Sequence, residues 1–336
     1  RQKWLDNHFG GATFSLNCQK EKYSLIVGGA ANKYAGDHYG KVIWVRNANN
    51  LNIDYQYYFN KSTKTDANVY GKVNYHLFNN LLAYIDLQYR YIQLNMNGKD
   101  DKYDAETGTM RVLSNQKPFH FFNPKVGLNY KINTANTVFA SFAVANREPN
   151  RNNYTDAGPN EKPTSERLYD TELGYNHQSA KLNFGANVYY MKYKNQLILN
   201  GKMSEIGELL TSNIPDSYRT GIELAAGVKI IGGLRWDGNL NVSRNKIQHF
   251  TEYTDMYDAG WNWTGTKVNN FEETDISYSP DLIANSIISY SYQNFETALY
   301  STYVGKQYLD NTSDNDRSIN PYFVNNLRIG YSLKLN

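Results

Sequence analysis

The chain has 336 residues, 35 Lys and Arg against 32 Asp and Glu for a formal net charge of +3, and 30 Tyr beside a single Cys. So balanced a charge, with no long basic run, excludes a nucleic-acid-binding footprint; Cys18 alone excludes an internal disulfide framework and any CxxC metal site. Abundant Tyr and Asn with sparing use of strong helix formers exclude a helix-rich fold, because aromatic and β-branched side chains favour pleated surfaces.

No apolar stretch reaches the roughly 20 residues of a membrane helix, and the opening RQKWLDNHFGG has no apolar signal core. A mean hydropathy of −0.67 is still what a membrane β-barrel gives, since its strands alternate apolar and polar. In chain order, WLDNHFGGATFSLN (4–17) runs into a tight turn at CQKEKY (18–23), and a second turn follows at LFNNLL (77–82). Beyond it Ala83, Ile85, Leu87, Tyr89 and Tyr91 share one face against Tyr84, Asp86, Gln88 and Arg90, which is the period of a strand. The same alternation sets Val126, Leu128 and Tyr130 against Gly127, Asn129 and Lys131 ahead of a turn at KINTANT (131–137). After HQSAKL (177–182) it sets Leu182, Phe184, Ala186 and Val188 against Asn183, Gly185 and Asn187. Further turns fall at IIGGLR (230–235) and YQNFET (292–297), and near the end Leu327, Ile329 and Tyr331 oppose Arg328, Gly330 and Ser332.

Between these six tight turns lie long polar, aromatic stretches, approximately 30–68, 92–121, 146–168, 191–217, 245–281 and 304–322. Short and long connections alternate throughout, the layout of an up-and-down membrane barrel with short periplasmic turns and long extracellular loops. A soluble sandwich or propeller is the competing reading, but no blade-length repeat is visible. Tyr23, Tyr75, Phe78, Tyr130, Tyr175, Trp236, Tyr290 and Phe295 near the tight turns fit an interfacial girdle. The predicted fold is therefore all-β, an antiparallel up-and-down transmembrane β-barrel.

The segments FAVANREPNR (142–151), PTSERLYDTELGYN (163–176), LNFGANVYYMKYKNQLI (182–198), SNIPDSYRTGIELAAG (212–227) and FVNNLRIGYSLKL (323–335) together resemble the barrel of TonB-dependent outer-membrane receptors. The resemblance implies a Gram-negative outer-membrane location, no enzymatic activity, and uptake of a bulky nutrient, foremost a ferric siderophore-type chelate, ahead of haem, cobalamin or a glycan. It implies coupling to the TonB complex through a plug domain that this sequence does not show, with outer-membrane lipid and lipopolysaccharide around the wall. Six hairpins and a last strand make about thirteen strands against about 22 in such a barrel. Residues 1–336 are accordingly expected to be one barrel segment, without plug or terminal strands. The alternative is a soluble extracellular carbohydrate-binding β-domain that uses Trp and Tyr platforms.

No HExxH, GxxxxGK[ST] or GxSxG is present, so no catalytic residue, resident cofactor or metal is expected. Glu161, Glu166, Asp170 and Glu172 read as loop and lumen-wall carboxylates. Ligand-binding candidates are the loop aromatics and cations Trp44, Tyr57, Tyr58, Arg147, Arg151, Tyr154, Tyr253, Tyr257, Trp261 and Trp263, since stacking, cation-π contact and bidentate guanidinium suit a chelate. Arg147 and Arg151 have a second reading, contact with lipopolysaccharide phosphates or a neighbouring loop acid. On polar strand faces, Arg90, Glu172, Glu223 and Arg328 would meet a plug or form a ladder of mutual salt bridges. His38, His120 and His249 offer a weaker haem reading, and Asp310, Thr312, Asp314 and Asp316 an incomplete calcium loop, with Asn315 and Pro321 where Gly and Glu belong.

Overall fold

The computed structural model describes residues 1–46, 52–104, 107–157, 162–203 and 209–333; Glu161, Leu335 and Asn336 lie outside these. Nearly all of it is strand: β1 Gln2–Gln19, β2 Tyr23–Val42, β3 Tyr55–Phe78, β4 Leu81–Asp104, β5 Thr109–Lys131, β6 Asn136–Arg147, β7 Glu166–Gln178 and β8 Leu182–Met203. There follow β9 Leu209–Ile231, β10 Leu234–Tyr257, β11 Trp263–Asp275, β12 Leu282–Tyr292, β13 Phe295–Val304, β14 Gln307–Tyr308, β15 Ser318–Ile319 and β16 Tyr322–Tyr331. The helix α1 is short, Arg151–Thr155.

Contacts divide the chain into two compact units, residues 1–75 with 85–124 and residues 76–84 with 125–336. In the first, β1 pairs antiparallel with β2 and β2 with β3. In the second, β5, β6, β7, β8, β9 and β10 pair antiparallel in chain order. The inner half of β10 then pairs β12, which leads through β13 to β16, while its outer half pairs β11. The strand path carries thirteen strands, with β11 beside β10 and β14–β15 a separate hairpin.

All six expected tight turns are present. At Gly232 and Gly233 φ is +43° and +87°, the left-handed pair that lets two residues reverse a twisted hairpin. The long stretches differ from expectation. β3, β4 and β10 have 24 residues each, whereas about 9–11 cross a bilayer. Most of 30–68, 92–121, 191–217 and 245–281 is thus strand continuing past the membrane, where ladder pairing satisfies the backbone and water on both sides permits polar side chains. Among the described residues the connections proper are 43–46, 52–54, 148–157, 162–165, 258–262 and 305–321.

Paired residues share a face, so register traces the wall of the second unit row by row. One row is Tyr175, Ala186, Leu224, Leu240, Ala284, Tyr303 and Phe323, all on the apolar face. The next position along each strand carries Gly174, Asn187, Glu223, Asn241 and Ile283, the mainly polar face. Aromatics bracket the apolar face: Tyr130, Tyr175, Phe184, Trp236, Tyr290 and Phe295 lie toward the tight turns, and Phe142, Tyr169, Tyr190, Tyr218 and Tyr303 toward the other end. Along β8 the step from Phe184 to Tyr190 is about 20 Å at about 3.3 Å per residue, measured along the strand. On the polar face, the Phe139 ring of β6 lies against the bare Cα of Gly174, where a Cβ would fall 2.2 Å from the ring.

Buried apolar side chains collect beyond that band rather than within it. Ile198, Ile214, Ile247, Phe250 and Ile276 form one cluster, with Phe271 against it, and Ile92, Phe119 and Phe121 form another in the first unit. Ile247 and Phe250 are three residues apart and would oppose each other in a regular strand. His249 between them has φ +60°, a left-handed kink that turns both into one cluster.

Candidate functional site

Beyond the outer aromatic belt of the second unit three segments stand over the strand ends. Segment 148–165 is pinned by α1, whose cap Asn150 exchanges hydrogen bonds with Asn153 at 2.7 and 2.9 Å. Asn153 also donates to Thr211 at 2.6 Å, and Asn213 accepts from the Thr164 backbone at 2.8 Å, tying the segment to β9. Arg147 forms an ion pair with Glu166 at 3.0 Å, and Glu166 accepts the Leu197 N–H at 3.0 Å. Of the readings open for Arg147, the structure shows the loop acid. Arg151 and Tyr154 sit on α1. Burial, with Glu148 beside it, pushes the Tyr154 hydroxyl up to about 12, and its buried oxygen has no partner among the described residues, which leaves a protonated donor.

The hairpin of β10 and β11 is the second segment. Asp258 accepts the backbone N–H of Gly260 and Asn262 at 2.8 Å each, fixing a turn in which Trp261 is held at φ +62°. The Asn262 side-chain amide, which donates to the same carboxylate at 3.0 Å, and those backbone bonds hold the Asp258 carboxyl below its usual range. Trp261 is 83% exposed, with the Tyr257 ring 6.4 Å away, and Trp263 donates to Asp255 at 3.4 Å. Tyr257, Trp261 and Trp263 thus come together as a display of rings on a stiff tip. Tyr253 and Tyr257 are on β10 rather than in a loop, since this stretch is paired.

The third segment, 305–321, contains the β14–β15 hairpin and a single 3-10 turn. Fully buried Asn311 donates to the Leu199 carbonyl and accepts from the Ser277 N–H at 2.8 Å, and Ser313 accepts the Asp275 N–H at 2.7 Å. Arg317 Nη1 lies 2.7 Å from Glu252 and 2.9 Å from Asp310. The acidic alternation read as a partial calcium loop therefore surrounds a guanidinium, and among the described residues no group of three His, Cys, Asp or Glu could hold a metal. Sequence reading missed Arg317 as the internal cation; its place directly after Asp314 and Asp316 was the available signal.

Burial pulls the Asp310 carboxyl upward, but hydrogen bonds from Thr312 and Arg317 outweigh it and hold the group below its usual range. A depressed carboxylate stabilises the folded segment above the ordinary value near about pH 4 and loses that contribution as pH falls through its own, lower value. A spin label at Leu309→Cys, in a Cys18→Ser full-length receptor, is expected to be immobile at pH 7 and to gain mobility only as pH falls below the ordinary carboxylate value of about 4. Arg317→Ala should show that mobility already at pH 7. A label that stays immobile throughout in both forms would refute the role of the Arg317, Glu252 and Asp310 contacts in holding this segment.

In the first unit, Trp44 is exposed in 43–45, whereas Tyr57 and Tyr58 are on β3, edge to face at 5.1 Å. Tyr58 is buried and serves packing. Arg90 pairs with Asp66, 3.1 and 3.2 Å from Nε, an acid outside the expected set of Glu172 and Glu223. His38 is on β2, and His120 Nδ1 is 2.6 Å from the Tyr89 hydroxyl. On the polar face of the second unit Glu172 lies on β7, Glu223 accepts from Asn241 at 3.2 Å, and Arg328 lies opposite Ala298. Asn285 bonds Asn239 and Thr302 bonds Asn285, at 2.9 and 2.7 Å. There an amide ladder replaces the expected ladder of salt bridges.

An antiparallel up-and-down sheet with one apolar, aromatic-bracketed face and one amide-lined face is the wall of a transmembrane β-barrel. Residues 2–336 match the family described as TonB dependent receptor-like, beta-barrel, and the chain belongs to that family of outer-membrane proteins of Gram-negative bacteria. No curated protein matches the chain. Among solved structures it is similar to a copper transporter, OprC, at 14% identity over 99% of this chain and 49% of that one, with a TM-score of 0.74. It is also similar to the siderophore receptor PiuA from Acinetobacter baumannii, at 13% identity over 99% and 51% of the two chains and a TM-score of 0.72. The ferric yersiniabactin uptake receptor FyuA from Yersinia pestis gives 15%, 98%, 47% and 0.66. The chain spans about half the length of these structures. The family match sets aside the soluble carbohydrate-binding alternative, whose sheet would bury its apolar face.

Proposed function

We propose that this chain supplies wall and outer ligand-binding rim to a TonB-coupled receptor for a bulky nutrient, foremost a ferric siderophore-type chelate. In this reading residues 1–336 are one segment of a larger receptor whose plug meets Glu172, Glu223 and Arg328 and carries the signal from the TonB complex. The observation that carries it is the family match along the whole chain, joined to a wall apolar outside and amide-lined inside. Trp261, Tyr257 and Trp263 on their stiff turn offer stacking surface to a catecholate or aromatic chelate. Arg151 offers guanidinium donors to its oxygens.

A deletion strain grown on single iron, haem, cobalamin or glycan sources tests the assignment. A selective defect on a ferric chelate is expected, and Trp261→Ala with Tyr257→Ala in the full-length receptor should weaken chelate binding by about tenfold, the scale of lost ring stacking. No selective defect on any iron source would overturn the ferric-chelate reading.

A further inference from the structure

Behind the outer belt of the second unit, the polar face of the same strands carries a row of charges. Register sets Lys125, Ala143, Asp170, Met191, Arg219 and Asn245 side by side, one on each strand from β5 to β10. Asp170, Met191 and Arg219 directly follow the belt tyrosines Tyr169, Tyr190 and Tyr218, so strand alternation turns them to the lumen side at the height of the belt. The charges alternate in sign along the row, with Ala143 and Met191 between them.

Such a row would be a ladder of salt bridges if its members closed on one another, and Arg219 does not. Its Nη1 donates to Asn245 of β10 at 3.4 Å and to Ser279, in the connection before β12, at 3.1 Å, both on the side away from Asp170. The Tyr193 hydroxyl lies beside the same guanidinium. All three partners are neutral, and among the described residues no carboxylate forms an ion pair with Arg219. Arg90, Arg147, Arg235 and Arg317 each meet a carboxylate. Asp170 is the complementary case. Its charged neighbours Lys125 and Glu172 offset each other, and its Oδ1 is buried with no hydrogen-bond partner among the described residues. A spacing of about 4.8 Å per strand puts the Cα atoms of Asp170 and Arg219 about 10 Å apart. Between them the half-buried Met191 gives a soft, unbranched apolar floor.

We propose that Asp170 and Arg219 form a subsite for an amphoteric nutrient group, one that carries a free ammonium and a free carboxylate several bonds apart, as a short peptide does. The ammonium sits on the Asp170 carboxylate, the carboxylate on Arg219 with the Tyr193 hydroxyl beside it, and the chain between them crosses Met191. Guanidinium supplies paired donors to a carboxylate, and a carboxylate is the matching acceptor for an ammonium. An anion alone would leave Asp170 unanswered beside it, and a cation alone would leave Arg219 so; a group with both charges satisfies the pair. The inference rests on the uptake reading and deepens it by naming a chemical class for one part of the cargo.

The test uses the full-length receptor in mild detergent, with alanyl-alanine as probe and binding read by titration calorimetry. Two capped forms accompany it, the N-acetyl dipeptide, which keeps only the anion, and the dipeptide amide, which keeps only the cation. Wild type should bind the free dipeptide, and each capped form about tenfold more weakly, the scale of one lost charge-assisted contact. Arg219→Gln should weaken the free and N-acetyl forms about tenfold and leave the amide unchanged. Asp170→Asn should weaken the free and amide forms and leave the N-acetyl form unchanged. Arg167→Gln, on the opposite face, should match wild type with all three. A general distortion of the wall would not produce that crossed pattern, and the wild-type ranking of the capped forms decides the matter even where a variant fails to assemble. Equal binding of free and capped dipeptides, no binding of the free dipeptide, or the same loss for every probe in both variants would overturn the subsite. Growth on single iron sources is scored separately. A ferric-chelate defect without the crossed pattern removes only the subsite, and the crossed pattern without an iron defect removes only the ferric-chelate reading.

Discussion

Phe250→Ala is expected to cost about 3–5 kcal/mol, the range for deleting a buried aromatic ring from a packed cluster. Phe250 is 2% exposed and stacks on Phe271 at 6.2 Å among Ile198, Ile214, Ile247 and Ile276. This is the place where β8, β9, β10 and the end of β11 are held together past the membrane, with little help from lipid. The loss should therefore be local. Proteolysis of the full-length variant should open the outer ends of these strands, together with the 305–321 segment docked on them, while the lipid-facing band stays assembled. Phe271→Ala, which removes a partly buried ring, should cost less. Equal protease resistance of Phe250→Ala and wild type would mean that the cluster contributes nothing to these extensions.

The same residues mark the limit of what the sequence reveals. Inside the membrane band, alternation alone assigned faces correctly, as at Phe184, Ala186 and Val188 against Gly185 and Asn187, because lipid on one side and water on the other enforce period two. Past the belt that asymmetry ends. Polar strands such as the outer halves of β3 and β10 then resemble loops in composition, and only pairing distinguishes them. Left-handed His249 and Asn195, with φ +60° and +53°, also break the alternation, so clusters form from residues that strict period two would separate. Contacts between distant segments left still less trace. Nothing local links Arg317 to Glu252 or Asn311 to Leu199. The rings of Tyr257, Trp261 and Trp263 were legible, since three exposed aromatics within a few residues of a Gly-containing turn have no packing explanation.

Ala186→Arg should cost roughly 2–4 kcal/mol, the price of a guanidinium near the bilayer midplane on a barrel's lipid face. Ala186 stands in the row of Leu224, Leu240 and Ala284, on the apolar face between the belt positions Phe184 and Tyr190, so a charge there faces hydrocarbon. One residue on, Asn187 faces the polar side directly opposite Glu223, with Gly174 on its other flank. An arginine at 187 would find both water and a carboxylate. Outer-membrane assembly of the full-length receptor, followed by heat-modifiable gel mobility, should fall for Ala186→Arg and survive for Asn187→Arg. Since the two positions are adjacent, share local propensity and receive the same side chain, only the identity of the medium on each face can separate them. The reverse ranking would place the apolar face inward, and with it the aromatic belts would lose their membrane interpretation.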